Sequence, residues 1–168
     1  MNKKLLATGF ALLTASAPSF GQQATTKDQL VGSWRVLSLK ATTGDKVSYP
    51  LGERVTSYVT ITADRLWLLF FDSTRKAPAA ATLTDAEAVA SMKSHVAWTG
   101  KYSTKEQTPE GLELTAHVDA ASSQAIFGTD RVYLMRVNGN KMTVKSPGVI
   151  VPMTGATSVV EFELVKDD

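Results

Sequence analysis

Leu30-Val31-Gly32-Ser33-Trp34-Arg35-Val36-Leu37-Ser38-Leu39 is the stretch on which the fold turns. Its apolar residues and the absence of a turn signal read as a strand, with Trp34 and Val36 on one face and Leu37 and Leu39 on the other. Gly32 permits close backbone approach, and Trp34 offers the largest apolar surface one residue can bury. Just upstream, Asp28-Gln29-Leu30-Val31-Gly32 suits a single helical turn leading into that strand.

Working outward towards the N-terminus, Gln22 to Lys27 is a polar lead-in, and before it lies a leader pattern. Lys3 and Lys4 give a charged start, Leu5 to Leu13 a short apolar run, and Ser19 and Gly21 the small residues at positions −3 and −1 of a cut before Gln22. A cut after Ala17 is disfavoured by Pro18. The run is far short of the ~20 residues of a membrane-spanning helix. The expectation is a signal peptide over 1–21, one domain over 22–168, no transmembrane segment in the mature chain and a periplasmic or secreted location. The 168 residues suit one domain with a real core. Removing Lys3 and Lys4 leaves 16 basic against 16 acidic residues, which argues against nucleic acid or an anionic membrane as partner. There is no cysteine, so no disulfide and no thiol nucleophile, and an exported chain must be held by its core alone.

Towards the C-terminus the pattern is mostly β. Gly44 and Tyr49-Pro50-Leu51-Gly52 punctuate a connection to a strand over Val55 to Thr62. After a tight turn at Ala63-Asp64-Arg65, the run Leu66-Trp67-Leu68-Leu69-Phe70-Phe71 is apolar on both faces. It is either a strand buried on both sides or one lining a cavity while its back packs on something. Thr84-x-x-Glu87 is a capping box opening the chain's good helix, which should end near Ser94. Val89, Met92 and Val96 give that helix an apolar stripe, suited to plugging a barrel mouth or covering the outside of a sheet. Strands then follow over 96–102, 112–118, 130–137, 141–145 and 157–166. Asn138-Gly139 is the strongest hairpin signal, and Pro147-Gly148 with Pro152 mark a long connection. About eight strands with one short helix after the third, and no fixed repeat, fit an all-β, antiparallel up-and-down β-barrel better than a two-sheet sandwich.

In order along the chain, several blocks resemble the bacterial and fungal lipocalin-like domain family of calycin-type barrels. Leu30-Val31-Gly32-Ser33-Trp34-Arg35 is similar to its opening block and Tyr49-Pro50-Leu51-Gly52 to its Pro-and-Gly loop. Thr84-Asp85-Ala86-Glu87 resembles its helix start, and Val96-Ala97-Trp98-Thr99-Gly100-Lys101-Tyr102 its aromatic strand. His117 and Gly128-Thr129-Asp130 resemble its His strand and the turn after it. Asp64-Arg65 stands where the family commonly has Asp-Gly, and Phe162-Glu163-Leu164 where it commonly has a Trp-x-Arg-like element. The resemblance implies a barrel whose entry Trp closes one end, with a late cation stacked on it. Arg131, Arg136 and Lys166 are the candidates here. It implies a container more than an activity.

No Gly-x-Ser-x-Gly elbow, phosphate loop, dinucleotide fingerprint or His-Glu-x-x-His is present, and two histidines without cysteine give no basis for a metal site. No cofactor is expected. His117 is the best catalytic candidate, since histidine exchanges protons near neutral pH, although Glu113, Thr115, His117 and Asp119 read more readily as the solvent face of a half-buried strand, whose apolar residues point inward in a small barrel. His95 suits a helix C-terminus, and Arg75-Lys76 a solvated loop. The aromatics from nearly every strand either line a pocket or fill the core. The candidate ligand-binding residues are Trp67, Trp98, Tyr102, His117, Arg131 and Tyr133. The leading expectation is an exported barrel binding a small hydrophobic or amphipathic molecule. The alternatives are an isomerase, cyclase or hydrolase acting within the same barrel, or a filled-core structural or interaction protein with an exposed apolar patch.

Overall fold

The structure, a computed structural model, describes residues 24–53, 55–151 and 155–167. The leader read over 1–21 and Pro152 lie outside the described residues. A short helix α1 (Lys27–Leu30) leads into β1 (Gly32–Thr43), which turns back on the short β2 (Lys46–Ser48). There follow β3 (Val55–Ile61), β4 (Arg65–Asp72), α2 (Asp85–Lys93), β5 (His95–Thr108), β6 (Gly111–Ala121), β7 (Asp130–Asn138), β8 (Lys141–Ile150) and β9 (Thr157–Lys166). Every pairing is antiparallel, from β1–β3 through to β8–β9, and β9 returns to β1 from Trp34↔Lys166 to Thr42↔Val159. Eight strands therefore close an up-and-down barrel, and β2 hangs from β1 outside the ring.

Alternation places the core. Leu66, Leu68 and Phe70 of β4 point inward, as do Leu112, Leu114, Ala116 and Val118 of β6, and all are buried. In β1 the alternation slips. The register with β9 shifts between Val36 and Ser38, so Leu37 is an extra residue that bulges outward, 42% exposed. The bulge returns Leu39 to the interior beside Trp34 and Val36. The expectation that Leu39 faces away from Trp34 is corrected for that reason.

Three further expectations are revised. The outer face of β4 is neither buried nor backed by another element, since Trp67 is 50% and Leu69 40% exposed. Strand β8 does not stop at Lys145; it continues through Pro147-Gly148 to Ile150 with a bulge between Ser146 and Val149, where Gly148 takes φ 63°. Helix α2 has its capping box, with Glu87 N–H donating to Thr84 Oγ1 at 3.3 Å and Thr84 N–H to Glu87 Oε2 at 2.9 Å. It buries no residue, however. Val89 and Met92 face solvent, and Val96 belongs to β5 and the barrel interior, so the helix neither plugs the mouth nor covers the sheet with its stripe.

The two ends differ. At one end lie the start of β1 and the tight turns joining β3 to β4, β5 to β6 and β7 to β8. Trp34, wholly buried, closes this end. Its Nε1–H donates to the Leu30 carbonyl at 2.8 Å, and Lys166 Nζ sits 5.4 Å from its ring centroid. Of the three late cations, Lys166 therefore stacks on the entry Trp. Its side chain crosses Gly32, where a Cβ would meet Lys166 Cε at 3.0 Å. The long connections gather at the other end, where Leu51, Ile126 and Val151 from three loops are drawn into the core.

Candidate functional site

Inside the barrel, towards the end with long connections, lies a cavity of about 50 Å³. Four rings form its wall. Trp98 stacks on Tyr133 (centroids 6.1 Å, interplanar 13°), Tyr133 meets Phe162 at 6.5 Å, and Phe162 meets Phe70 at 5.2 Å. Leu39 and Leu68 fill between them, and Val149 and Ile150 stand at the rim. The volume holds a few water molecules and is far below the ~300 Å³ at which drug-sized pockets begin.

Among the described residues, one charged side chain lines this cavity. Arg131, two residues before Tyr133 on β7, points the same way, and its Nη2 reaches the Ile150 carbonyl at 3.4 Å. Its Nε is buried and has no hydrogen-bond partner, the one such side-chain atom among the described residues. An unmade hydrogen bond on a buried polar group costs about 1–3 kcal/mol, so an acceptor placed there would recover real free energy. Among the described residues no carboxylate forms an ion pair with Arg131; its neighbour Asp130 is engaged by His117 Nδ1 at 2.7 Å.

These features and the closed ring of strands fit one family. A family model for the lipocalin-like domain matches residues 31–165. The chain belongs to the lipocalin-like domain family. No curated protein and no solved structure matches it.

Within this lipocalin-like barrel the six candidate residues separate into three groups. Trp98, Arg131 and Tyr133 meet at the cavity. Tyr102 is inside but at the closed end, where its hydroxyl donates to the Thr62 carbonyl at 2.8 Å and Lys27 Nζ lies 5.1 Å from its ring. It pins the β3–β4 turn to β5 and takes no part in the cavity. Trp67 and His117 stand on the outer wall, because their strands turn Leu66, Leu68, Ala116 and Val118 inward. Trp67 as a candidate lining the pocket is corrected to the outside of the barrel, and for His117 the solvent-face reading of its strand holds. His117 joins a surface row with Asp130, and nearby Arg65 grips Asp119 through two bonds of 2.8 and 2.9 Å. The Arg65 hydrogen bond holds the Asp119 carboxyl below the usual carboxylate range. His95 Nδ1 contacts the Ser91 carbonyl at 2.8 Å, in keeping with a place at the helix end.

Residues outside the six complete the cavity. Phe70 and Phe162 were legible only as aromatics, and Leu39, Val149 and Ile150 reach it because of the two bulges. Of these the Pro147-Gly148 pair alone leaves a signal in the sequence. Burial pushes the Tyr133 phenol up to about 12, against the pull of Arg131 towards the phenolate. Its hydroxyl thus stays protonated, and able to donate, throughout the physiological range.

A larger concavity of about 690 Å³ lies on the outer wall, where Tyr58, Trp67 and Leu69 flank Ala97, Ala120 and Ala121. It is open to solvent, and two of its polar side chains are already engaged. Thr99 Oγ1 donates to the Leu66 carbonyl at 2.9 Å, and Ser122 Oγ accepts from Ala97 N–H at 3.0 Å. It is the more open of the two, and no charged side chain lines it among the described residues, so the cavity inside the barrel is the better candidate.

Proposed function

We propose that this protein is an exported lipocalin-like barrel that binds a small amphipathic molecule at its open end. The observation that carries this reading is the Arg131 Nε, buried and unpartnered, at the edge of a cavity walled by Trp98, Tyr133, Phe162 and Phe70. Apolar burial of the ligand would supply affinity at ~25 cal/mol per Å², and the polar edge would set its orientation. The leader pattern at 1–21 supports export. Catalysis has less support, because the best acid–base candidate, His117, is on the outer wall with a 63% exposed side chain. A filled-core interaction protein is the second reading, favoured by the 50 Å³ volume and by the exposed Trp67 and Tyr58.

Native mass spectrometry of the protein, purified gently from its own host and followed by organic extraction, separates the two. A stoichiometric small molecule on the chain is the expected result. A clean apo mass, with no quenching of tryptophan fluorescence across a panel of small apolar and amphipathic compounds, would sink the binding reading and leave the filled core.

A further inference from the structure

We infer that the ligand is a small monocarboxylic acid, held with its carboxylate on Arg131 and Tyr133 and its apolar body among the rings of the lumen. This rests on the binding reading above and adds the sign and the size of what is bound.

The sign follows from the composition of the cavity wall. Arg131 is its one charged member among the described residues, and it forms no ion pair with a carboxylate of the chain. A guanidinium has no acceptor to offer, so the partner of Nε must bring an acceptor, and a carboxylate brings one together with the opposite charge. Ser146 Oγ is already spent on the Val132 carbonyl at 2.9 Å, whereas the Tyr133 hydroxyl, whose oxygen accepts from the Arg131 side chain, keeps its O–H to donate. Nε–H and a phenolic O–H on one edge suit the two oxygens of a carboxylate, and charge-assisted bonds of this kind are about twice as strong as neutral ones. The sequence order supports the geometry: Arg131 and Tyr133 are two apart on one strand, so their side chains leave the same face.

The size follows from packing. A volume of about 50 Å³ admits no long chain unless the wall gives way. A body of a few carbons needs the least displacement.

The test compares hexanoate with 1-hexanol by isothermal titration on the wild-type protein at neutral pH. The two share a chain and differ in the head group. The expected result is at least tenfold tighter binding of hexanoate, with an affinity that falls as salt is raised, while the alcohol is insensitive to salt. Arg131→Met should weaken hexanoate at least tenfold and abolish its salt dependence, and Arg131→Lys should recover part of the loss. Equal binding of acid and alcohol in the wild type would overturn the carboxylate inference while the binding reading survived. If neither probe bound, the inference would fall too, and a co-purifying neutral molecule would show that the barrel still binds. The wild-type comparison stands even if a variant misfolds, and thermal melts of each variant report that directly.

Discussion

Trp34→Ala is expected to cost about 3–5 kcal/mol of folding stability, the upper range for loss of a large buried side chain. The ring is fully buried at the end where the barrel must be closed. Its removal leaves a cavity, frees the Leu30 carbonyl from its 2.8 Å bond and exposes the ring's place to the Lys166 ammonium, now without a π-face. The orphaned carbonyl adds to the cavity term, because an unmade buried hydrogen bond is penalised separately. Trp34→Phe keeps part of the volume but not the donor, so it should fall between wild type and alanine. Urea unfolding monitored by circular dichroism measures both. A loss under about 1 kcal/mol for alanine would mean that something else closes this end.

Gly100→Ala is the second large effect, and its origin is different. Strand β5 shifts register against β6 between Thr99 and Gly100, which presses the two backbones together. A Cβ on Gly100 would lie 2.0 Å from the His117 carbonyl oxygen and 2.7 Å from its carbon. Both are main-chain atoms, so no rotamer change relieves the contact and the strands themselves must part. Overpacking commonly costs about 1–3 kcal/mol, and a backbone collision belongs at or above the top of that range. Gly44→Ala is the control: nothing lies within 4 Å of its Cβ position, and its φ of 57° brings only the left-handed penalty of about 1–2 kcal/mol. Denaturant midpoints of the two variants should differ clearly in favour of Gly44→Ala. Equal midpoints would contradict the close approach of β5 and β6.

The contrast between these sites shows what a sequence of this kind discloses. Strand positions were legible because one face of each strand is buried and the other wet, which writes an alternation into β3, β6 and β9. Asn138-Gly139 marked the β7–β8 turn, and the Gly-x-Trp entry marked the closed end. Arg131 and Tyr133 were named as separate polar candidates, and their two-residue spacing on a strand is the signal that would have joined them on one face. Three features left little trace. The bulge at Leu37 lies within a run whose neighbours are all compatible with a strand, so nothing shows where the alternation slips. Strand β4 is apolar on both faces, and hydrophobicity alone does not distinguish Leu68, inside, from Trp67, outside. The stripe on α2 implied burial, yet the helix is held by its cap and by polar contacts such as Arg75 Nη2 to Ser91 Oγ at 3.3 Å. The volume of the lumen was also beyond reach, since it depends on how four rings from four strands meet.

The tryptophans offer the most direct test of the central claim, because the three sample three places: Trp34 the closed end, Trp67 the outer wall and Trp98 the lumen. Indole N–H resonances assigned by single Trp→Phe variants would be followed by heteronuclear NMR while hexanoate is titrated into the protein. If the ligand site is the open-end cavity, the Trp98 signal moves saturably and those of Trp34 and Trp67 stay in place. Saturable movement of Trp67 would put binding on the outer wall, which Trp98 also borders, and contradict the account.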